Sequence, residues 1–214
     1  MIGNYILSGK VQAIAATTLS ALLSLLVLPL AYVISGSVLG LITLRKGPTA
    51  GIQVMFASML VLIVFSLLAG MAAEVTLAYV AVVWLPVWVG SSALRLTERQ
   101  GLLLLSAAGL ASAMVITMHL VLGDVTAWWQ QWLDLMLDKA VPVERVEEYR
   151  QLFQPAVVML NAMMAAGLML NIVLGVLCAR WWQSRLFNPG AFQKELKGVQ
   201  LPVVSLRVGA LVMV

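Results

Sequence analysis

Five continuous apolar stretches, broken only by short islands of charge, constrain this chain more than any other feature of it. A helix needs about twenty apolar residues to cross a bilayer, whereas transmembrane β-strands read as alternating segments of about ten. The fold class expected is therefore all-α, a polytopic transmembrane helical bundle. The composition agrees: 62% of the 214 residues are hydrophobic, 10% are charged, and the mean hydropathy is +1.01. Soluble domains are roughly half apolar and a quarter charged.

Along the chain, apolar runs predict spans at 11–28, 31–44, 52–70, 75–93, 101–122, 155–179 and 201–214, all in one integral membrane domain covering 1–214. That makes about six complete spans plus a seventh C-terminal apolar segment. Met1 to Lys10 lacks the cleavage site of a secretory signal and is expected to stay in the mature protein. The run from Val11 to Leu44 is too long for one upright span and slightly short for two. Lys10 precedes it and Arg45 with Lys46 follows it, so two short helices turning near Pro29, or a re-entrant hairpin, keep both ends on one side. Pro155 suits the first turn of the sixth helix. The chain ends at Val214 within an apolar run, so either the seventh helix is short or the natural protein continues.

The charges sort by sign. On one side lie Lys10, Arg45, Lys46, Arg95, Arg99, Arg180, Arg185, Lys194, Lys197 and Arg207 against Glu98 and Glu195, or 10 − 2 = +8. On the other lie Lys139, Arg145 and Arg150 against Glu74, Asp124, Asp134, Asp138, Glu144, Glu147 and Glu148, or 3 − 7 = −4. Cytoplasmic loops collect Lys and Arg, so the N-terminus is expected inside. The formal charge of +4 does not point to nucleic acid, because the basic residues sit in short loops rather than on one soluble face.

The exported segment is expected at 124–154. Its Trp128, Trp129, Trp132, Leu133 and Met136 recur at helical spacing, which predicts an amphipathic helix with its tryptophans at the headgroup level, interrupted by Pro142. The acidic residues from Asp134 to Glu148 alternate with Lys and Arg and read as a solvated face.

No enzyme constellation emerges. GxSxG, HExxH and Walker A patterns are missing, no catalytic residue is assigned, and neither cofactor nor metal is expected. His119 has no second ligand at metal-binding spacing. Glu74 falls at a helix boundary, where a carboxylate reaches water. The single Cys178 excludes an internal disulfide and, in apolar surroundings, reads as a small packing residue.

Polar groups inside spans leave two readings open. Asn161 and Asn171 lie about 80° apart around the sixth helix by the helical turn angle. They form either a polar floor for a ligand cavity or interhelical glue, the latter aided by the row Gly167, Asn171 and Gly175. In the fourth helix Pro86 removes a backbone hydrogen bond among Tyr79, Trp84 and Trp88. Those aromatics are either lipid-facing packing or, with the two asparagines, the walls of a ligand site.

The most distinctive polar stretch is RWWQSRLFNPGAFQKELKGVQL, expected as a cytoplasmic basic loop over 180–200 with a turn at Asn188 to Gly190. Arg180, Trp181, Trp182, Arg185, Phe187 and Phe192 suit contact with anionic lipid headgroups. Alternatively, a cytoplasmic or membrane protein partner docks on Phe187, Phe192 and Leu196.

NYILSGKVQA at Asn4 to Ala13, the hairpin and basic turn after it, and WWQSRLFNPGAFQKEL at Trp181 to Leu196 together resemble the YybS-like bacterial membrane proteins, a family of unknown function. The resemblance covers most of the chain. It implies a multi-pass protein of the bacterial inner (cytoplasmic) membrane. It also implies hydropathy similar to the S-components of energy-coupling-factor vitamin transporters and to the rod-shape protein MreD, with no established binding residue to carry over. The leading expectation is a non-enzymatic small-molecule binding or transport component. The competing one is a membrane scaffold or assembly partner of the bacterial envelope. A ligand-sized cavity between the fourth and sixth helices favours the first, and a solid core the second.

Overall fold

Hydrocarbon offers the backbone no hydrogen-bond partner, so a chain this apolar must satisfy its N–H and C=O groups within each segment. The computed structural model describes residues 2–26, 32–70 and 72–198, and among them there is no strand. Helices run at α1 (Ile2–Ser8), α2 (Lys10–Leu26), α3 (Tyr32–Lys46), α4 (Pro48–Leu68), α5 (Ala73–Tyr79), α6 (Leu85–Thr97), α7 (Gln100–Leu122), α8 (Val125–Ala140), α9 (Val146–Phe187) and α10 (Ala191–Lys197). A π-helical turn, Val80–Trp84, joins α5 to α6, and a 3-10 turn, Val143–Arg145, leads into α9.

Among the described residues, four helices are long and apolar enough to cross a membrane: Pro48–Leu68, Ala73–Thr97, Gln100–Leu122 and Val143–Phe187. The apolar runs predict all four, with boundaries shifted by capping chemistry. Gly47 takes φ 103° and Pro48 follows in the first turn, which starts α4 ahead of the expected residue 52. Glu74 falls in the first turn of α5, where the helix dipole favours a carboxylate. The first two expected spans are the shorter helices α2 and α3, of 17 and 15 residues. The turn near Pro29 and the segment 201–214 lie outside the described residues.

Two expectations about the C-terminal half need correction. The sixth helix was expected over 155–179; α9 starts at Val146 and runs 42 residues to Phe187, with Pro155 inside it rather than in its first turn. The carbonyl that loses its donor to Pro155 belongs to Gln151, an exposed residue that water can serve, so the proline does not break the helix. Nor is the described part of the expected 180–200 loop, residues 180–198, a loop. Its first part belongs to α9, and α10 follows the turn at Asn188 to Gly190. The Ser184 hydroxyl fixes that turn: it donates to the Asn188 carbonyl at 2.8 Å and accepts the Phe192 N–H at 3.2 Å.

The chain divides into two compact units, one drawn from Met1–Ala108 and Leu170–Val214, the other Gly109–Met169. In the first, α3 is the central helix. All ten residues from Ser35 to Leu44 are buried, and α3 packs on α2, α4 and α6. Lipid tails supply no hydrophobic drive between helices, so close contact must come from small residues. Gly36 and Gly40 provide it: a Cβ on Gly36 would lie 3.2 Å from Val87, and one on Gly40 would lie 2.9 Å from Ala179 and 3.0 Å from the Ser91 hydroxyl. Gly175 meets Val87 in the same way, whereas a Cβ on Gly167 would meet nothing within 4 Å. The packing row of α9 thus uses Gly175 and Ala179, one turn beyond the row expected from sequence. Cys178 is exposed on α9 and not a packing residue.

The second unit holds α8 against the first part of α9. Asp124 caps α8 by accepting the Ala127 N–H at 2.9 Å. Trp129 is buried with Val125 and Val157, flanked by Met118, Leu133 and Leu160. Trp128 and Trp132 remain exposed at 36% and 41%. Of the three tryptophans expected at the headgroup level, then, Trp129 turns inward, because it occupies the stripe of α8 that faces Val157. Arg150 of α9 ties the two helices by bonding Asp134 of α8 at 2.7 Å, and it also bonds Glu147 of its own helix at 2.6 Å.

Candidate functional site

The aromatic and amide residues of the fourth and sixth expected spans are engaged with their own protein. Trp84, fully buried, donates its indole N–H to the Ser35 hydroxyl at 2.8 Å, and Ser35 in turn reaches the Thr17 carbonyl at 3.4 Å. The Tyr79 hydroxyl bonds Ser24 at 2.8 Å, and its ring meets Trp84 edge-on at 5.6 Å. Trp88 donates to the Pro48 carbonyl at 2.9 Å.

Asn171 has the most specific role. In an α-helix the Val82 carbonyl would accept the N–H of residue 86, but Pro86 has none. Asn171 Nδ2 takes that place at 3.1 Å. The π-helical turn lies at the same point, where a proline leaves the hydrogen-bond ladder short of a donor. Asn171 Oδ1 is buried without a partner among the described residues. Asn161 belongs to the other unit, and its Oδ1 is likewise buried and unpartnered. The structure therefore brings together Tyr79 and Trp84 directly, with Asn171 on the turn between them. His119 bonds the Val115 carbonyl of its own helix at 2.9 Å.

A polar concavity of the first unit lies elsewhere, where α3, α6, α9 and α10 come together. A cavity of 590 Å³ is lined by Leu44, Arg45, Leu94, Arg95, Glu98, Arg180, Gln183 and Glu195. Each cation is held in a different way. Arg95 donates to the Leu44 carbonyl, one of the last in α3, where the helix dipole favours a cation. Arg45 stacks over the Phe187 ring, its guanidinium carbon 4.1 Å from the ring centre. Arg180 faces Glu195 with two donors, Nε at 3.0 Å and the NH2 nitrogen at 2.5 Å, and its remaining nitrogen reaches Gln183 at 2.6 Å.

Glu195 also accepts from Gln100 at 3.2 Å. The hydrogen bonds from Arg180 hold its carboxyl below the ordinary carboxylate range, against the opposing effect of partial burial. Among the described residues no carboxylate lies within ion-pair distance of Arg45 or Arg95. Glu98 ends α6 in the left-handed conformation at φ 55°, which brings its backbone turn to the cavity rim. The lining charge is 3 − 2 = +1.

Arg45 also lines a neighbouring cavity of 520 Å³ with Asn4, Leu7, Ser8, Lys46 and Phe187. The residues singled out from sequence in this region divide accordingly. Arg180 and Phe187 line cavities, and Trp182 packs near Gly3 of α1. Trp181, exposed, carries Arg185 over its ring at 5.3 Å. Phe192 anchors the start of α10 through its backbone. Arg45, Arg95, Gln100 and Glu195 are the residues that sequence reasoning missed as a group. The signal was three basic residues on one side of the charge partition, Arg45 and Arg95 in the last turns of α3 and α6 and Arg180 about two turns before the end of α9, read there only as topology. Comparison with protein-family models, curated proteins and solved structures finds no match.

Proposed function

We propose that this chain is a non-enzymatic component of the bacterial inner membrane that binds a small anionic group at the basic end of its bundle. The observation that carries the reading is the convergence of Arg45, Arg95 and Arg180 on one polar cavity, with two of the three guanidiniums free of carboxylate partners among the described residues. Guanidinium groups hold a planar fork of donors and stay charged at any physiological pH, so a half-enclosed set of them selects anions. The reading keeps the binding or transport function expected from the YybS-like resemblance but places the ligand at the helix ends instead of among Tyr79, Trp84, Trp88, Asn161 and Asn171. Internal hydrogen bonds already occupy polar atoms of four of those five.

The proposed topology has six complete spans plus a seventh segment at 201–214, with the N-terminus in the cytoplasm. The charge partition of +8 against −4 supports it. So does the gathering of Arg45, Arg95 and Arg180 around one cavity. The envelope-scaffold reading stands second, favoured by the internally bonded core around Trp84.

Equilibrium binding of inorganic phosphate, sulfate and acetate to the protein in phosphatidylcholine nanodiscs tests the proposal. Saturable anion binding lost in Arg95→Gln and in Arg180→Gln is expected. Binding that survives both changes refutes it.

A further inference from the structure

α10 is an unusual wall for a cavity. None of its seven residues is buried, so packing does little to hold it. Its start is pinned by the Phe192 N–H on Ser184, and the turn before it bends through Gly190 at φ 90°, a conformation that glycine adopts without strain. Among the described residues, the one α10 side chain that hydrogen-bonds to the rest of the unit is the Glu195 carboxylate, which takes two donors from Arg180 and one from Gln100. A short helix is thus latched across the cavity by a single anion seated on one of the cavity's three arginines.

Resting on the anion-binding reading above, we infer that Glu195 is a built-in occupant of the site, that α10 is its lid, and that the ligand displacing it is a phosphate-bearing group. The chemistry selects the class. A carboxylate ligand carries one charge and two acceptor oxygens, so it would only exchange for Glu195 on Arg180. A phosphate monoester carries close to two charges and three terminal oxygens. It can take the Arg180 fork and still offer acceptors to Arg45 and Arg95, neither of which Glu195 satisfies. Arg45 is held by an aromatic face rather than by an ion pair, so turning it to a ligand breaks no salt bridge. On displacement, Glu195 and α10 swing out about Gly190, and Gln100 loses its acceptor.

The phosphate can belong to a soluble molecule or to a lipid headgroup, and the experiment separates these sources. In a Cys178→Ser background, Lys197→Cys carries a nitroxide whose mobility reports α10. The protein is placed in phosphatidylcholine nanodiscs and titrated with inorganic phosphate and with glycerol phosphate. A parallel set of nanodiscs contains phosphatidic acid. The expected result is that a phosphate source frees the label in the wild-type background. Glu195→Gln, which removes the competing charge, is expected to be mobile without ligand and to bind phosphate roughly tenfold more tightly. Response to the soluble phosphates supports a soluble ligand, and response only to phosphatidic acid supports a headgroup; both support the lid.

Equal affinity in wild type and Glu195→Gln, with binding still lost in Arg180→Gln, overturns the lid and leaves the anion site standing. Failure of wild type, Glu195→Gln and Glu195→Ala alike to bind any phosphate source, with unchanged circular dichroism, overturns the lid and the anion site together.

Discussion

Replacing Asn171 by Leu tests the account of the broken fourth helix, and the test is sharpest when Pro86 is replaced as well. Asn171→Leu keeps the branching and heavy-atom count of the side chain, with methyls bulkier than the amide, and removes the donor that serves the Val82 carbonyl at 3.1 Å. Hydrogen bonds between membrane helices average about 0.6 kcal/mol and reach about 1.7. This one should lie toward the upper end, because the carbonyl has lost its helical partner to Pro86. The gain from removing the unpartnered Oδ1 offsets part of the loss, so a net cost of about 1 kcal/mol is expected.

In a Pro86→Ala background the N–H of residue 86 can close the ordinary bond to Val82, and the same Asn171→Leu change should cost about 1 kcal/mol less. The coupling between the two sites is then about 1 kcal/mol, within the range found for residues that share one hydrogen-bond network. Equilibrium unfolding of the four proteins in mixed micelles, followed by circular dichroism, measures it. An equal cost of Asn171→Leu in both backgrounds would refute the assignment of Asn171 to the proline gap.

Other outcomes follow from the same geometry. Gly51→Ala should destabilise by about 1 to 2 kcal/mol despite its better helix propensity, because the new Cβ would lie 2.2 Å from the Thr43 hydroxyl and 3.0 Å from Trp88. The control Gly109→Ala meets nothing within 4 Å and should gain up to about 1 kcal/mol in the same unfolding assay. Because Arg180 depresses the Glu195 carboxyl relative to the unfolded chain, latching of α10 is complete above the ordinary value of 4.5 and is lost only as pH falls through the lower folded value; release of a nitroxide at Lys197→Cys already above 4.5 would contradict this. With Cys178 replaced, a cysteine at Glu144 should react with an impermeant thiol reagent in intact cells, and one at Lys194 only after permeabilisation; the reverse pattern rules out the N-in topology. Brominated lipids should quench single-tryptophan proteins retaining Trp128 or Trp132 more strongly than one retaining the buried Trp129, and equal quenching of all three would show that α8 does not bury Trp129.

Much of the local structure was legible in the residues. Gln100–Leu122 begins one residue before the expected span because a continuous apolar run between Arg99 and Gly123 has few other conformations in lipid. Gly36 and Gly40, four residues apart in an apolar run, make a close helix contact that was not singled out from the sequence; of the row that was, Gly167, Asn171 and Gly175, Asn171 is buried and Gly175 packs on Val87, while a Cβ on Gly167 would meet nothing within 4 Å. The length of α9 was less legible. Pro155 looks like a helix start, and only the exposure of Gln151 allows it to sit inside one.

Which polar atoms meet was decided by tertiary structure alone. Hydropathy and helix signals depend on neighbours within a few turns, so the sequence by itself determined helices, an apolar environment and the sorting of charge. The bond from Asn171 to Val82 joins positions 89 apart, and that from Gln100 to Glu195 joins positions 95 apart. Those pairings depend on how α3, α6, α9 and α10 come together around small residues, which no single segment encodes. The same holds for the arginines: Arg45, Arg95 and Arg180 are three separate topology signals along the chain, and they line one cavity only because the ends of α3 and α6 pack beside α9 about two turns before its own end.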